Sequence, residues 1–75
     1  MRLRELERQL ACHGFTLSRI KGSHRVYRTA GGQVLVIAAH NQHQTFTLPQ
    51  QIKIWRTVLE LERAEIERGR GDVPA

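Results

Sequence analysis

The stretch RIKGSHRVYR, residues 19–28, gathers the side chains of this chain best suited to chemistry on a phosphodiester. A Gly22-Ser23 turn brings backbone N–H groups close to whatever docks beside it, and Arg19, Lys21, Arg25 and Arg28 surround His24 with positive charge. A histidine among cations has the groups needed to cleave RNA without a metal. As a neutral base it takes the proton of a ribose 2′-hydroxyl, and as an acid it protonates the leaving 5′-oxygen. Neighbouring cations stabilise the charge that develops on the phosphorane oxygens. The plainer reading is a basic surface strand whose histidine caps a turn or sits at a strand edge. Composition and spacing leave both readings open.

Other chemistry finds little support. His40 and His43, in HNQH, form a weak zinc pattern with Cys12 and His13, but there is no Cys-x-x-Cys pair, so no metal ligand is assigned. His40 ends an apolar run and is grouped with the residues expected to meet RNA. No Gly-rich phosphate loop or nucleophile–base–acid order stands out, and no cofactor is expected. A two-metal nuclease needs carboxylates, and residues 1–56 hold only Glu5 and Glu7.

The elements that must position His24 follow from periodicity. Leu3, Leu6 and Leu10 recur on one face of a first helix, closed by Gly14. FTLSRI, with Phe15 and Leu17 on alternate positions, predicts a half-buried strand, and KGS predicts a short turn. HRVYRT predicts a second strand and AGG at 30–32 a hairpin turn. The near-continuous apolar run QVLVIAA predicts the most buried strand of a three-stranded antiparallel sheet. HNQHQTF is read as a polar loop. TLPQ at 47–50 reads as a capping box, in which Thr47 and Gln50 each satisfy the other's backbone N–H.

The second helix carries one apolar ridge at Leu48, Ile52, Trp55 and Leu59, with Trp55 expected in the core, and another at Ile54, Val58 and Leu61. Two ridges exceed what a thin sheet needs, so the helix is either deeply sandwiched or keeps one face for another chain, including a second copy of itself. The expected fold class is α+β, in the order α-β-β-β-α, with both helices on one sheet face. That layout is common to double-stranded-RNA-binding domains. Residues 1–68 form the single expected domain and residues 69–75 a flexible tail.

Composition agrees with a nucleic-acid partner. The 75 residues carry a formal net charge of +5. Residues 1–56 hold nine Lys and Arg against two Glu, while residues 57–75 are slightly acidic. A basic body is the electrostatic footprint of a polyanion binder. No apolar run is long enough to span a bilayer, MRLRELERQL lacks the apolar core of a signal peptide, and the single Cys12 suits a reducing compartment. A cytoplasmic location is therefore expected, with no membrane partner.

Over LERQLACHGFTLSRIKGSHRVYR the sequence resembles the HicA (YcfA-like) toxins of bacterial toxin–antitoxin pairs. The resemblance rests on an ordered set of features across roughly residues 3–59. A short amphipathic helix ends in Gly14 and Phe15, a strand follows, Gly22-Ser23-His24 opens the second strand, and an apolar third strand ends at His40. It implies a double-stranded-RNA-binding-like fold and a type II toxin that acts as an mRNA interferase, an endoribonuclease cleaving mRNA without metal. It also implies that His24 is catalytic and that a HicB antitoxin covers the site. The sequence departs from the family where Arg25 replaces a second histidine, in the loop HNQHQTF, and in a longer last helix. The alternative function is a non-catalytic RNA-binding module of the same fold.

Overall fold

The computed structural model describes residues 1–71. The order is α1 (Leu3–Cys12), β1 (Thr16–Lys21), β2 (His24–Arg28), β3 (Val34–Ala38) and α2 (Leu48–Gly71). The strands form an antiparallel sheet in the order β1-β2-β3, so β2 is the central strand. The expected tail from Gly69 is helical as far as Gly71, and its residues 72–75 lie outside the described residues.

Local signals account for most element ends. Leu3, Leu6 and Leu10 are all buried, as the helical spacing predicts. Gly14 takes a left-handed φ of +85°, which lets the chain turn back on the helix end. The Phe15 N–H then donates to the Leu10 carbonyl and the Gly14 N–H to the Ala11 carbonyl, each at 2.9 Å. This is the Schellman closure, and the burial of Leu10 and Phe15 in one cluster supplies its accompanying apolar contact. The capping box forms as read: the Thr47 N–H donates to Gln50 Oε1 at 2.8 Å, and the Gln50 N–H to Thr47 Oγ1 at 3.3 Å.

One core holds the layers together. Leu3, Leu6 and Leu10 of α1, Tyr27 of β2, Leu35 and Ile37 of β3, and Val58 of α2 belong to one buried cluster, with Ile54, Trp55 and Leu61 packed against it. Opposite residues in an antiparallel pair share a sheet face, and Tyr27 pairs with Leu35 while Arg25 pairs with Ile37. Both helices therefore cover that face and leave the other open.

Burial corrects three expectations. Every residue of β1 is exposed, including Leu17, because β1 is an edge strand with no further strand beside it; only Phe15, just before it, reaches the core. β3 is also an edge strand, with only Leu35 and Ile37 buried, so its apolar run has one open face. The loop HNQHQTF is not wholly polar in its packing. Phe46 enters the core, its N–H donates to the Met1 carbonyl at 2.7 Å, and Arg2 bridges Thr45. Of the two α2 ridges, Ile54, Val58 and Leu61 meet the core, while Leu48, Ile52 and Leu59 stay exposed.

A polar clamp ties α1 to the central strand. The Tyr27 hydroxyl donates to Glu7 Oε2 at 2.7 Å, and the Arg25 guanidinium lies 3.6 Å from the same carboxylate. Burial of the phenol, then the adjacent Glu7 carboxylate, push the Tyr27 pKa far above its ordinary value, only partly offset by Arg25. A raised folded-state pKa stabilises the fold below the unfolded phenol's value of about 10, and this contribution is lost as pH rises from there through the folded value. Tyr27 is the only tyrosine, so phenolate absorbance reports it alone. On alkaline titration, phenolate is expected only well above about pH 10 and together with loss of helical circular dichroism. A titration near the ordinary phenol value with the fold intact would contradict the clamp.

Candidate nucleic-acid interface

His24 is the first residue of β2 and is exposed. Lys21 pairs with His24 across a two-residue turn made of Gly22 and Ser23. Gly22 has φ +60° while Ser23 does not enter the positive region, which is the signature of a type II′ hairpin turn with glycine first. Beyond the turn, the Ala39 N–H donates to the Ser23 carbonyl at 2.7 Å, so the end of β3 holds the turn in place.

A bulge decides which side chains join His24. The β1–β2 register runs Thr16↔Arg28 and Leu17↔Tyr27, then slips past Ser18 to Arg19↔Val26, Ile20↔Arg25 and Lys21↔His24. The additional residue reverses the alternation of the rest of β1. Arg19 and Lys21 therefore share the open face with His24, whereas unbroken alternation from Thr16 would turn both toward the helices. The β2–β3 register adds Ala38, Val36 and Val34 to the same face, opposite His24, Val26 and Arg28. The open face is thus an apolar floor of Val26, Val34 and Val36 framed by Arg19, Lys21, His24 and Arg28. It carries no carboxylate among the described residues.

Arg25, expected among the cations around His24, lies on the other face. Its side chain is only 13% exposed and is occupied by Glu7, so the structure separates it from the Arg19, Lys21 and Arg28 group. Adjacent strand residues point to opposite faces, which makes the contrast with His24 unavoidable. His40 is exposed, two residues beyond the Ala38 that pairs with His24, and its N–H donates to Gln44 Oε1 at 2.6 Å. His40 thus belongs to the same end of the sheet.

Sequence reasoning missed two sets of residues. Gln50, Lys53 and Thr57 of α2 line a groove along β3 that includes His24; the return of α2 beside β3 is a long-range arrangement without a local signal. A second basic groove lies along α1, where Arg2, Arg4, Arg8 and Arg25 meet Gln42, His43 and Thr45, together with Glu5 and Glu7. His13, by contrast, meets the Glu62 carboxylate and tilts against Trp55, with ring centroids 5.2 Å apart. Among the described residues, no three His, Cys, Asp or Glu side chains are grouped to hold a metal ion.

The family described as HicA toxin of bacterial toxin–antitoxin matches residues 3–70 of the 75. The chain belongs to the HicA toxin family. Comparison with curated proteins and with solved structures returned no match. Membership covers nearly the whole of both helices and all of the sheet, so the toxin fold and the open basic face are properties of one unit. A HicA toxin acts within a toxin–antitoxin pair and so has an antitoxin as partner. No described helix of this HicA chain is long and apolar enough to cross a membrane.

Proposed function

We propose that this chain is a cytoplasmic toxin that cleaves mRNA on its open sheet face, with His24 as general acid/base. The observation that carries this reading is the bulge at Ser18, which brings Arg19 and Lys21 onto the face of His24 and Arg28. His24 takes the proton of a ribose 2′-hydroxyl as that oxygen bonds to phosphorus. The P–O5′ bond then breaks, and a proton returned to the 5′-oxygen completes the leaving group. The products are a 2′,3′-cyclic phosphate and a 5′-hydroxyl. Arg19, Lys21 and Arg28 hold the phosphates and offset the charge of the phosphorane. The Gly22-Ser23 turn offers backbone N–H groups, and His40 extends the RNA contact at the same end of the sheet. Arg25 serves the fold through Glu7 and supports the site only by fixing β2. Among the described residues the face carries no carboxylate to hold a catalytic divalent ion, which favours the metal-independent route. A HicB-like antitoxin neutralises the toxin by covering this face.

Incubating the purified chain with RNA in EDTA tests the reaction. Fragments ending in 2′,3′-cyclic phosphate or 3′-phosphate are expected. Binding without fragments would instead establish a non-catalytic RNA-binding module, and fragments with 3′-hydroxyl ends would refute the chemistry.

A further inference from the structure

The α2 helix carries an apolar stripe that the fold does not use. Leu48, Ile52, Leu59 and Ile66 are 49–67% exposed, although each is a large aliphatic side chain. Ile52, Leu59 and Ile66 recur every seven residues, and Leu48 and Trp55 stand four residues before the first two of them. At 100° per residue these five side chains fall within about 60° of one another around the helix axis and form one continuous stripe. Trp55 is already half-buried against the core, so the stripe continues from the packed side of α2 onto its exposed flank. At 100° per residue, Gln50 and Thr57, which line the groove with His24, fall on the opposite flank.

The charges along α2 identify what covers the stripe. Residues 48–59 hold Lys53 and Arg56 and no acid, while the rest of α2, residues 60–71, holds four Glu against Arg63, Arg68 and Arg70. A second copy of the helix laid antiparallel sets the basic half of each against the acidic half of the other, and it opposes the helix dipoles head to tail. Parallel pairing would bring like halves together. Ile52 and Ile66 lie seven residues either side of Leu59, so antiparallel pairing about Leu59 matches aliphatic to aliphatic and makes one patch complementary to itself. Such self-complementarity is the requirement for a two-fold dimer.

We propose that the chain forms an antiparallel two-fold dimer through the Leu48–Ile52–Leu59–Ile66 stripe of α2, with Leu59 at the axis. Both open sheet faces remain accessible in this dimer, and the proposal does not depend on the reaction assigned to His24.

Sedimentation equilibrium of the isolated full chain is expected to show a monomer–dimer equilibrium. Leu59→Glu places two carboxylates against each other at the axis and is expected to raise the dimer Kd by at least about 30-fold. Leu59 is exposed, so circular dichroism of the variant should match the parent. Orientation is read by disulfide trapping in a Cys12→Ser background, since Cys12 is an exposed free thiol. A mixture of Ile52→Cys and Ile66→Cys chains should cross-link, and neither variant should cross-link with itself.

Self-cross-linking of Ile52→Cys would show parallel pairing and overturn the proposal. A dimer indifferent to Leu59→Glu would place the interface elsewhere, with the same consequence. A chain monomeric at every concentration up to its solubility limit also overturns self-pairing. Should the co-purified antitoxin then shield the Ile52→Cys and Ile66→Cys thiols from labelling, the stripe would belong to the antitoxin.

Discussion

His24→Ala is expected to reduce RNA cleavage by at least about 100-fold, because a positioned general acid or base commonly supplies a factor of about 10²–10⁴. The fold should be unaffected. His24 is exposed at the start of β2, and no side-chain hydrogen bond or ion pair to another described residue holds it. The loss should therefore fall on the catalysed step while RNA binding through Arg19, Lys21 and Arg28 persists. The two arginines of β2 provide the internal contrast. Arg28→Ala removes a cation from the open face and should weaken RNA binding with little change in stability. Arg25→Ala leaves Glu7 without its cation beside a buried phenol, and should lower stability more than it lowers RNA affinity. Cleavage by a folded His24→Ala chain at the parent rate would remove His24 from the mechanism.

Tyr27→Ala is expected to cost about 3–5 kcal/mol, the range for emptying a buried aromatic site. Tyr27 is the largest of the fully buried side chains and sits in the central strand, directly between Leu17 of β1 and Leu35 of β3. Its ring belongs to the one buried cluster that also holds Leu3, Leu6 and Leu10 of α1 and Val58 of α2, and its hydroxyl is the link to Glu7. A domain of this length has roughly 4–11 kcal/mol of stability at 0.05–0.15 kcal/mol per residue, so much of the margin disappears and a large fraction of the chain should unfold on modest warming. Tyr27→Phe separates the two contributions. It keeps the ring and leaves Glu7 with Arg25, so its cost should be about 1–2 kcal/mol. Urea denaturation of the three proteins checks both values. A Tyr27→Ala variant within about 1 kcal/mol of the parent would show that this ring is not central to the core.

The response of each face to mutation follows from strand alternation, and alternation is also where the sequence is least legible. The Gly-Ser-His turn can be read directly, because a two-residue hairpin with glycine first is a local backbone requirement. The same holds for the closure of α1 at Gly14, the Thr47–Gln50 capping box and the burial of Leu3, Leu6 and Leu10. Each depends on residues within one or two helical turns of one another, so the local sequence contains all of the physics that decides it.

Ser18 is different. Nothing about a serine in TLSRI announces a bulge, yet slipping the register by one residue carries Arg19 and Lys21 to the face of His24. Arg25 shows the complementary limit. It is a cation beside the candidate catalytic histidine in sequence, but the face it occupies follows from the pleat, and its partner Glu7 lies 18 positions away on α1. Phe46 reads as part of a polar loop until α1 and α2 close over it.

The order of elements, the turn that presents His24, the basic character of the body and an apolar surplus on α2 are all legible along the chain. That β2 is central, that Arg19, Lys21 and Arg28 share a face with His24 while Arg25 does not, and that Leu48, Ile52 and Leu59 of the surplus ridge stay exposed emerge from the folded chain alone. The difference is one of range. Turns, caps and amphipathic periods are settled by neighbours along the chain, whereas strand order, register and the covered face are settled by which distant surfaces bury one another.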